Sequence, residues 1–421
     1  MTDAESEFID VRLLRIGLFV YIDLGWLSHP FPLNAFKLRS QDQIDTIRSL
    51  GLLRIRYSAE KSDPETSSIS PTKLAVDIAD PVEGVRRARQ EELSRQKTSL
   101  KICERQFNDA SRAYRQVSDI FHSQPEVARQ VSEKMVSGVV EKLFNEEESS
   151  IRLLSEQIGE RVASHAVNVT VISLLLAKAM SLSPDEMHII GLGALLHDIG
   201  KLELPSRLRW RDANFSSAEL LIHQEHVGKS VAAGRKMGLP AGALLVIAQH
   251  HELADGSGYP QRLRSDKITL HSRLVGLVNH YDNLCNPNNP AAAMTPHEAL
   301  ALMFAQQKSR FDGTVMSAFI RMMGVYPPGS VVQLTDERYA LVVSVNSNRP
   351  LKPQVVIHQP EIPRDEALVV DLEVTPELGI RRSLKPLQLS KATVDYLSPR
   401  ERICYFFERA MGREPVETAL T

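Results

Sequence analysis

The spacing of apolar and polar positions changes its period several times along the chain. Near the N-terminus, Leu13–Ile22 and Gly51–Tyr57 are short strand-like runs, and Gln41–Leu50 between them has the pattern of a helix. Trp26 and Phe31 lie in the loop between these elements, where we expect them to fill a small core. This part of the chain is therefore predicted to be a small mixed α/β domain.

The middle of the chain has a charged pattern. Residues 61–82 are polar and rich in serine and proline, which is typical of a linker. From Pro81 to His122 the chain is charged and nearly free of glycine and proline, so we predict a long exposed helix. Pro125 begins a second helix that runs to about Asn145. A thin seam of apolar residues repeats every seven positions along this helix: Leu93, Leu100, Phe107 and Tyr114. Such a repeat suggests that the helix forms a homodimer through residues 83–122.

Helical patterns dominate the next part of the chain. Ser183 and Ser216 stand where helix N-caps are expected. Packed together, such helices form an all-α bundle in which functional side chains project inward. The predicted helices are Ile151–Met180, Pro184–His197, Ser217–Met237, Ala241–His250, Leu270–Asn283 and Pro296–Met323.

After Gly324 the pattern becomes that of strands. A turn-like string at Tyr326–Ser330 precedes three apolar or alternating runs: Val331–Leu334, Tyr339–Val345 and Gln354–His358. The sequence therefore predicts a multidomain protein. Its parts are an α/β domain at 1–60, a linker at 61–82, a charged helical linker at 83–148, an all-α helical-bundle domain at 149–325 and a β-rich appendage at 326–421.

The amino-acid composition indicates which binding partners and which cellular compartment to expect. The 421 residues include 50 Lys and Arg against 52 Asp and Glu, which predicts neither nucleic acid nor a membrane as partner. Cys103, Cys285 and Cys404 fit no disulfide or CxxC pattern, as expected in a reducing compartment. The acidic start is unlike a signal peptide, and the apolar run Ala166–Met180 is short and interrupted by polar residues. We expect a cytoplasmic protein.

Two short strings contain most of the residues suited to chemistry. One is HDIGK at residues 197–201, which follows an apolar run, and the other is HHELADGSGYP at residues 250–260. Neutral histidine is the commonest metal-binding side chain, so paired imidazoles before a tight turn suit metal ligation. Together the strings resemble the HD-GYP family of phosphodiesterases, a branch of the HD metal-dependent phosphohydrolases, over residues 150–330.

The resemblance has implications for the whole chain. The N-terminal segment resembles the domain of unknown function that often precedes HD-GYP domains, and the C-terminal part resembles an appendage that follows them. The family implies hydrolysis of cyclic di-GMP to pGpG, with GMP left open as a further product. The nucleophile would be a hydroxide that bridges two divalent first-row ions, for which iron and manganese are the first choices.

The resemblance also implies ligands for these two ions. Asp198 would bridge both ions and is the central catalytic group. The first ion would be held by His165, His197, Asp198 and Asn279, and the second by Asp198, His226, His250 and His251. Four other histidines lack support from the family pattern and are predicted to have ordinary structural roles: His188, His223, His271 and His280.

Further residues take roles from the same resemblance. Lys201 is expected to face the substrate phosphate, although capping of a helix C-terminus would also explain its position. Tyr259 either lines the substrate pocket or presents a surface to diguanylate cyclases, since the GYP loop is implicated in docking them. Glu252 and Asp255 are expected to orient the two adjacent histidines.

Three departures from the family pattern bear on activity. Arg161 stands where some members have a glutamate that recruits a third ion, so we expect two ions. Asn279 occupies the place of the last aspartate ligand, and Asp282, one helical turn away, is the alternative ligand. A substrate-gripping arginine of some members is absent from residues 285–294. The rival interpretation is a catalytically weak or inactive signalling protein that binds nucleotide or partner proteins.

Overall fold

A computed structural model of the protein describes residues 7–22, 31, 33–50, 52, 54–63, 81–145, 148–155, 161–212 and 214–410. Two compact units divide the chain between Gln106 and Phe107, within one long helix. Each unit has its own antiparallel sheet.

The N-terminal unit is the predicted mixture of strands and one helix. Its four strands pair in the order β1-β4-β2-β3, and the helix α1 follows β3. Their bounds are β1 Glu7–Asp10, β2 Phe19–Tyr21, β3 Ala35–Lys37, α1 Gln41–Ser49 and β4 Arg54–Ser58.

Aliphatic side chains from the sheet and from α1 form the core of this unit. Val20 and Ile47 are completely buried, and Phe31 packs against the same cluster, as predicted. Trp26 lies outside the described residues. The strand predicted from Leu13 begins only at Phe19, because the chain first makes a short 3₁₀ turn that is capped by the Asp10 side chain.

Two long helices follow β4 in the sequence, and the boundary between the units lies within the first of them. The predicted long helix is α2 (Pro81–Ile120), and the predicted second helix is α3 (Pro125–Asn145). Phe107 and Tyr114 are fully buried within the single chain. This half of the seven-residue seam therefore packs inside the molecule, and dimerisation through residues 83–122 stays a prediction.

The second unit contains a bundle of helices, as the periodicity predicted. Their bounds are α4 Arg161–Ala179, α5 Pro184–Leu196, α6 Ser217–Gln224, α7 His226–Met237, α8 Ala241–Gln249, α9 Leu270–Cys285, α10 Pro296–Gln306 and α11 Gly313–Met323. Within the described part of the chain, α4 alone is long and apolar enough to span a membrane, but 83% of its apolar window is buried inside the protein. It is therefore the central core helix of the bundle.

Three of the predicted helices are wrong in part. The first three residues of the helix predicted from Ile151 belong to strand β5 (Ser149–Leu153), because a fully buried strand and a buried helix have the same continuous apolar pattern. The pattern from Ser217 to Met237 contains two helices that meet at Glu225. The pattern from Pro296 is interrupted before Asp312, whose carboxylate caps α11.

The six C-terminal strands and β5 form a seven-stranded sheet. Its main order is β10-β6-β7-β5-β11, and β8 pairs with β7 and β9. The bounds are β6 Val331–Leu334, β7 Tyr339–Asn346, β8 Gln354–Ile357, β9 Val369–Asp371, β10 Ile380–Leu384, α12 Lys391–Leu397 and β11 Tyr405–Arg409. Since β5 precedes the helices in sequence yet lies between β7 and β11, the sheet and the bundle belong to one compact unit.

Candidate metal centre

The ends of four helices converge on one buried point. His165 is the fifth residue of α4, and His197 directly follows the last residue of α5. His226 is the first residue of α7, while His250 and His251 directly follow α8. Helix ends place these imidazoles together, although the residues are far apart in sequence.

The carboxylate of Asp198 lies at the centre of these rings. Its Oδ2 atom is 3.3 Å from His197 Nε2 and 3.4 Å from His165 Nε2. Its Oδ1 atom is 3.4 Å from His226 Nε2 and 3.7 Å from His250 Nε2. Among the described residues, two groups with ligand atoms mutually within 4.8 Å share this aspartate: His165, His197 and Asp198, and Asp198, His226, His250 and His251.

Backbone carbonyls hold three of the rings in one tautomer. Nδ1 of His197, His226 and His250 lies 2.6–2.7 Å from the carbonyl oxygen three residues earlier in each case. Since a carbonyl only accepts, Nδ1 carries the proton and donates it. In the neutral form of each ring Nε2 is then the acceptor, and it faces Asp198, as in metal-binding histidines whose other nitrogen is anchored.

Burial keeps the second group of histidines neutral. It lowers the pKa of His250 to about 4, and it lowers the pKa of His226 and of His251 well below the usual value. Burial by itself would raise the pKa of Asp198, but the adjacent His197 and Lys201 hold that pKa well below its usual range. Near neutral pH these three histidines therefore present imidazole lone pairs around the Asp198 carboxylate.

Four of the buried atoms have no hydrogen-bond partner among the described residues: Asp198 Oδ1 and the Nε2 atoms of His226, His250 and His251. Buried polar atoms without partners are costly, so such a cluster needs a reason. Imidazole nitrogens and a carboxylate oxygen are a suitable donor set for a divalent first-row ion. The residues therefore fit a metal.

His165 is held by a carboxylate instead of a carbonyl. Its Nδ1 is 2.6 Å from Asp282 Oδ2, and its Nε2 is 3.3 Å from His197 Nε2. Burial alone would lower the pKa of His165, but hydrogen bonds to Asp198 and Asp282 outweigh burial and raise it to about 9. Asp282, the alternative ligand, thus contacts the far side of the His165 ring. Asn279 is buried on the same helix, where its Oδ1 accepts from Asn283 at 2.8 Å.

Two cations and an indole ring lie beside the cluster. Lys201 Nζ is 2.5 Å from Asp198 Oδ2 and 5.2 Å from the centre of the Trp210 ring. The Arg161 guanidinium lies over the same ring at 4.2 Å and donates to Asn288 Oδ1 at 2.6 Å. A cavity of about 430 Å³ next to Trp210 is also lined by Asn288.

Sequence reasoning missed Trp210 and treated Arg161 only as a departure from the family pattern. No motif marks Trp210, because its place beside the cluster depends on the irregular chain after α5. Arg161 contacts the backbone of Asn286 and both backbone and side chain of Asn288. It therefore brings a cation to the stretch 285–294, which has no arginine of its own.

The loop after α8 differs from prediction in one respect. The Tyr259 ring stacks on the His251 ring at 4.5 Å, next to the cluster. The Glu252 carboxylate accepts from the backbone of Gln261 and Leu263, and the Asp255 carboxylate accepts from Ser257. Both carboxylates therefore stabilise the loop conformation. These hydrogen bonds differ from the predicted role of orienting the two adjacent histidines.

The four histidines predicted to be structural have hydrogen-bond partners elsewhere. His188 contacts the carbonyl of Pro184, and His223 contacts the carbonyl of Leu208. His271 contacts Glu186, and His280 contacts Gln307. None of them belongs to either of the two groups found among the described residues.

Comparison with known proteins gives two family matches. The family described as "HD domain" matches residues 125–315, and the "Domain of unknown function (DUF3391)" matches residues 7–131. The chain is 28% identical over 366 residues to the cyclic di-GMP phosphodiesterase PA4108 of Pseudomonas aeruginosa, which covers 83% of this chain and 84% of the relative.

Two further relatives match the chain over shorter stretches. The cyclic di-GMP phosphodiesterase response regulator RpfG of Xanthomonas campestris pv. campestris is 31% identical over 149 residues, which is 35% of this chain and 39% of the relative. The 3'3'-cGAMP-specific phosphodiesterase 3 of Vibrio cholerae is 27% identical over 165 residues, which is 39% of this chain and 36% of the relative. The chain spans less than half of each of these two.

Proposed function

We propose that this chain, which belongs to the HD-GYP family, is a cytoplasmic metal-dependent phosphodiesterase that hydrolyses cyclic di-GMP to pGpG. The observation that carries the proposal is the set of partnerless acceptor atoms around Asp198. Three neutral imidazoles and a buried carboxylate point their free lone pairs at one place, and no hydrogen bond between the described residues uses them. A binding site for cations explains this arrangement, and its position on the HD and HH strings links it to phosphodiester chemistry.

The protein's own residues would hold two ions. His165, His197 and Asp198 would bind one, with the Asn279 oxygen completing the set, and Asp198 would share the other with the second group of histidines. When bound, two such ions activate water as a nucleophile and neutralise charge on the phosphodiester. Iron and manganese suit this mixture of imidazole and carboxylate, and both remain candidates.

Lys201 and Arg161 would bind the phosphate groups of the substrate. Lys201 Nζ contacts Asp198 Oδ2 at 2.5 Å, and this contact weakens once that oxygen binds a cation. A phosphate oxygen in the site is then the nearest anion for the ammonium group. Arg161 adds a second cation, which its bond to Asn288 holds in place.

Two aromatic rings would bind the rest of the dinucleotide. Trp210 offers an indole face beside the cavity, and aromatic rings stack well with nucleobases. Burial raises the pKa of Tyr259, so its hydroxyl keeps its proton and would serve as a hydrogen-bond donor to the substrate. The loop that contains Tyr259 is also our candidate surface for diguanylate cyclases.

A product assay with metal analysis tests the proposed function. We expect the purified chain to contain divalent metal and to convert cyclic di-GMP into pGpG, with chromatography showing whether GMP follows. Asp198→Asn, which keeps the shape of the side chain but removes its charge, should lose most metal and at least a hundredfold of turnover. His188→Gln removes a histidine outside the cluster and should change neither quantity.

Three outcomes would contradict the proposal in different ways. Equal turnover in wild type and a folded Asp198→Asn variant would exclude metal-dependent hydrolysis at this site. Cleavage of 3'3'-cGAMP in clear preference to cyclic di-GMP would leave the chemistry intact but change the substrate. Nucleotide binding without product would favour the rival signalling protein.

A further inference from the structure

Two asparagines connect the last described strand to the candidate metal centre. β11 and the residues just before it pack beside α4 and pair with β5, far in sequence from the HD and HH strings. Asn168 Nδ2 donates to the Ile403 carbonyl at 2.7 Å, and Asn168 Oδ1 accepts from the Tyr405 backbone at 2.8 Å. Asn286 Nδ2 donates to the same carbonyl at 2.9 Å, and Asn286 Oδ1 accepts from the Ile403 backbone at 2.8 Å.

The second amide hydrogen of each asparagine goes to a single acceptor. Asp282 Oδ1 lies 2.7 Å from Asn168 Nδ2 and 3.0 Å from Asn286 Nδ2, while Asp282 Oδ2 accepts from His165 Nδ1 at 2.6 Å. Each amide thus uses both hydrogens and its oxygen. Its orientation is fixed, because a flipped amide would turn its oxygen toward a carboxylate and a carbonyl.

We propose that Asn168 and Asn286 are positioning residues. Through them the backbone of Ile403–Tyr405 orients Asp282, and thereby the His165 ring, at the metal centre. The C-terminal backbone holds the two amides, the amides hold Asp282, and Asp282 holds the His165 ring with Nε2 toward His197. The other group, formed by Asp198 with His226, His250 and His251, has no such link among the contacts described above. The inference rests on the proposed function for the presence of metal, but it concerns only the ion at His165.

The arrangement predicts a selective effect on one ion. Partners that orient a metal-binding histidine change metal affinity by about tenfold to a hundredfold when they are removed. Asn168→Asp keeps the shape of the side chain but places a carboxylate against Asp282 and the Ile403 carbonyl. We expect one of two Mn²⁺ ions to bind tenfold to a hundredfold more weakly, and the other to keep its affinity, in calorimetric titration of the full metal-free chain.

A charge swap separates positioning from simple loss of packing. In the double variant Asn168→Asp/Asp282→Asn, residue 282 keeps an oxygen that accepts from His165 and gains an amide group that donates to residue 168. The same amide group faces the Asn286 amide, so the restoration is incomplete. Part of the lost Mn²⁺ affinity should return. If Asn168→Asp does not fold, Asn286→Asp removes the same two kinds of donated bond at a half-buried position, and the same weakening of one ion is expected.

Tyr405→Phe is the matched control on the same strand. It removes a hydroxyl that contacts Tyr281 at 3.2 Å and the Pro328 carbonyl at 3.0 Å, without touching Asp282. It should lower the melting temperature and leave both Mn²⁺ affinities unchanged. Unaltered affinities in both Asn168→Asp and Asn286→Asp, or equal weakening in Tyr405→Phe, would overturn the inference. A wild-type chain that binds no Mn²⁺ would instead contradict the proposed function.

Discussion

At the scale of single residues, contact with the Asp282 carboxylate distinguishes His165 from the histidines of the second group. His226, His250 and His251 are kept neutral by burial, whereas Asp198 and Asp282 raise the pKa of His165 to about 9. In the metal-free protein His165 is therefore protonated at neutral pH, and an ion that binds there has to displace a proton. The two groups should differ in how their metal affinity depends on pH.

We predict that metal uptake at His165 strengthens as pH rises toward 9. Wild type should release about one more proton per chain than Asp282→Asn when it takes up Mn²⁺ at pH 7.5. Titration calorimetry in two buffers with different ionisation enthalpies measures this proton count. Equal proton release in the two proteins would show that Asp282 does not control the protonation of His165.

Asn279 is the residue that best distinguishes the proposed enzyme from the alternative, a catalytically weak or inactive signalling protein. A carboxamide ligates through its oxygen without charge, so the ion shared with Asn279 should bind more loosely than the other. Asn279→Asp should tighten that ion, and Asn279→Ala should lose it together with most activity. Metal content after mild chelation checks both variants, and Asn279→Ala with two ions and full turnover would remove Asn279 from the ligand set.

At the scale of elements, close packing at one glycine sets the distance between the HD string and α7. A Cβ atom on Gly200 would lie 2.4 Å from the His226 carbonyl oxygen and 2.4 Å from the Ser230 nitrogen. The Gly200 backbone also donates to Ser230 Oγ at 2.8 Å. Any side chain here would displace the start of α7, which carries His226.

We therefore predict that Gly200→Ala lowers both metal affinity and the melting temperature. Overpacking of this kind costs about 1–3 kcal/mol of unfolding free energy. Gly228→Ala is the control on α7, because a Cβ atom there meets nothing within 4 Å. Alanine at that helical position should stabilise by about 0.5–1 kcal/mol and keep metal binding. A Gly200→Ala variant as stable and as metal-loaded as Gly228→Ala would contradict this view of the packing.

At the scale of the whole molecule, the buried histidines make folding depend on pH. The pKa of His250 falls from 6.5 to about 4 on folding, so the unfolded chain binds more protons between these values. Stability is therefore lost as pH falls below about 6.5, by roughly 3 kcal/mol for this residue. The contribution of His165 to stability has the opposite pH dependence. Its pKa rises on folding, so this contribution is lost as pH rises toward 9.

We predict that the contributions of His250 and His165 together make the metal-free protein most stable near pH 6.5. Urea unfolding in the presence of a chelator, at pH 5, 6.5 and 8.5, measures the three free energies. His250→Gln should flatten the acid side, and Asp282→Asn should flatten the alkaline side. A free energy of unfolding that rises steadily from pH 6.5 to 8.5 in metal-free wild type would contradict the assignment to His165.

Local patterns in the sequence were sufficient to predict most of the helices and to select candidate site residues. The HD and HH strings point to His197, Asp198, His250 and His251 as candidate ligands, because adjacent histidine and carboxylate side chains suit metal binding. Capping serines and strong apolar periodicity locate helices such as α5 and α8 to within a residue or two. These properties depend on neighbours in sequence, so they are visible without the structure.

Tertiary structure alone decided the rest, because it depends on residues that meet only after folding. Ile151–Leu153 is a strand since β7 and β11 lie on either side of it, and its own sequence permits a helix equally well. Asp282 contacts His165 across 117 positions, and Asn168 reaches Ile403 across 235. No periodicity or motif encodes such pairs, so the support of His165 by the C-terminal strand becomes visible only when α4, α9 and β11 are packed together.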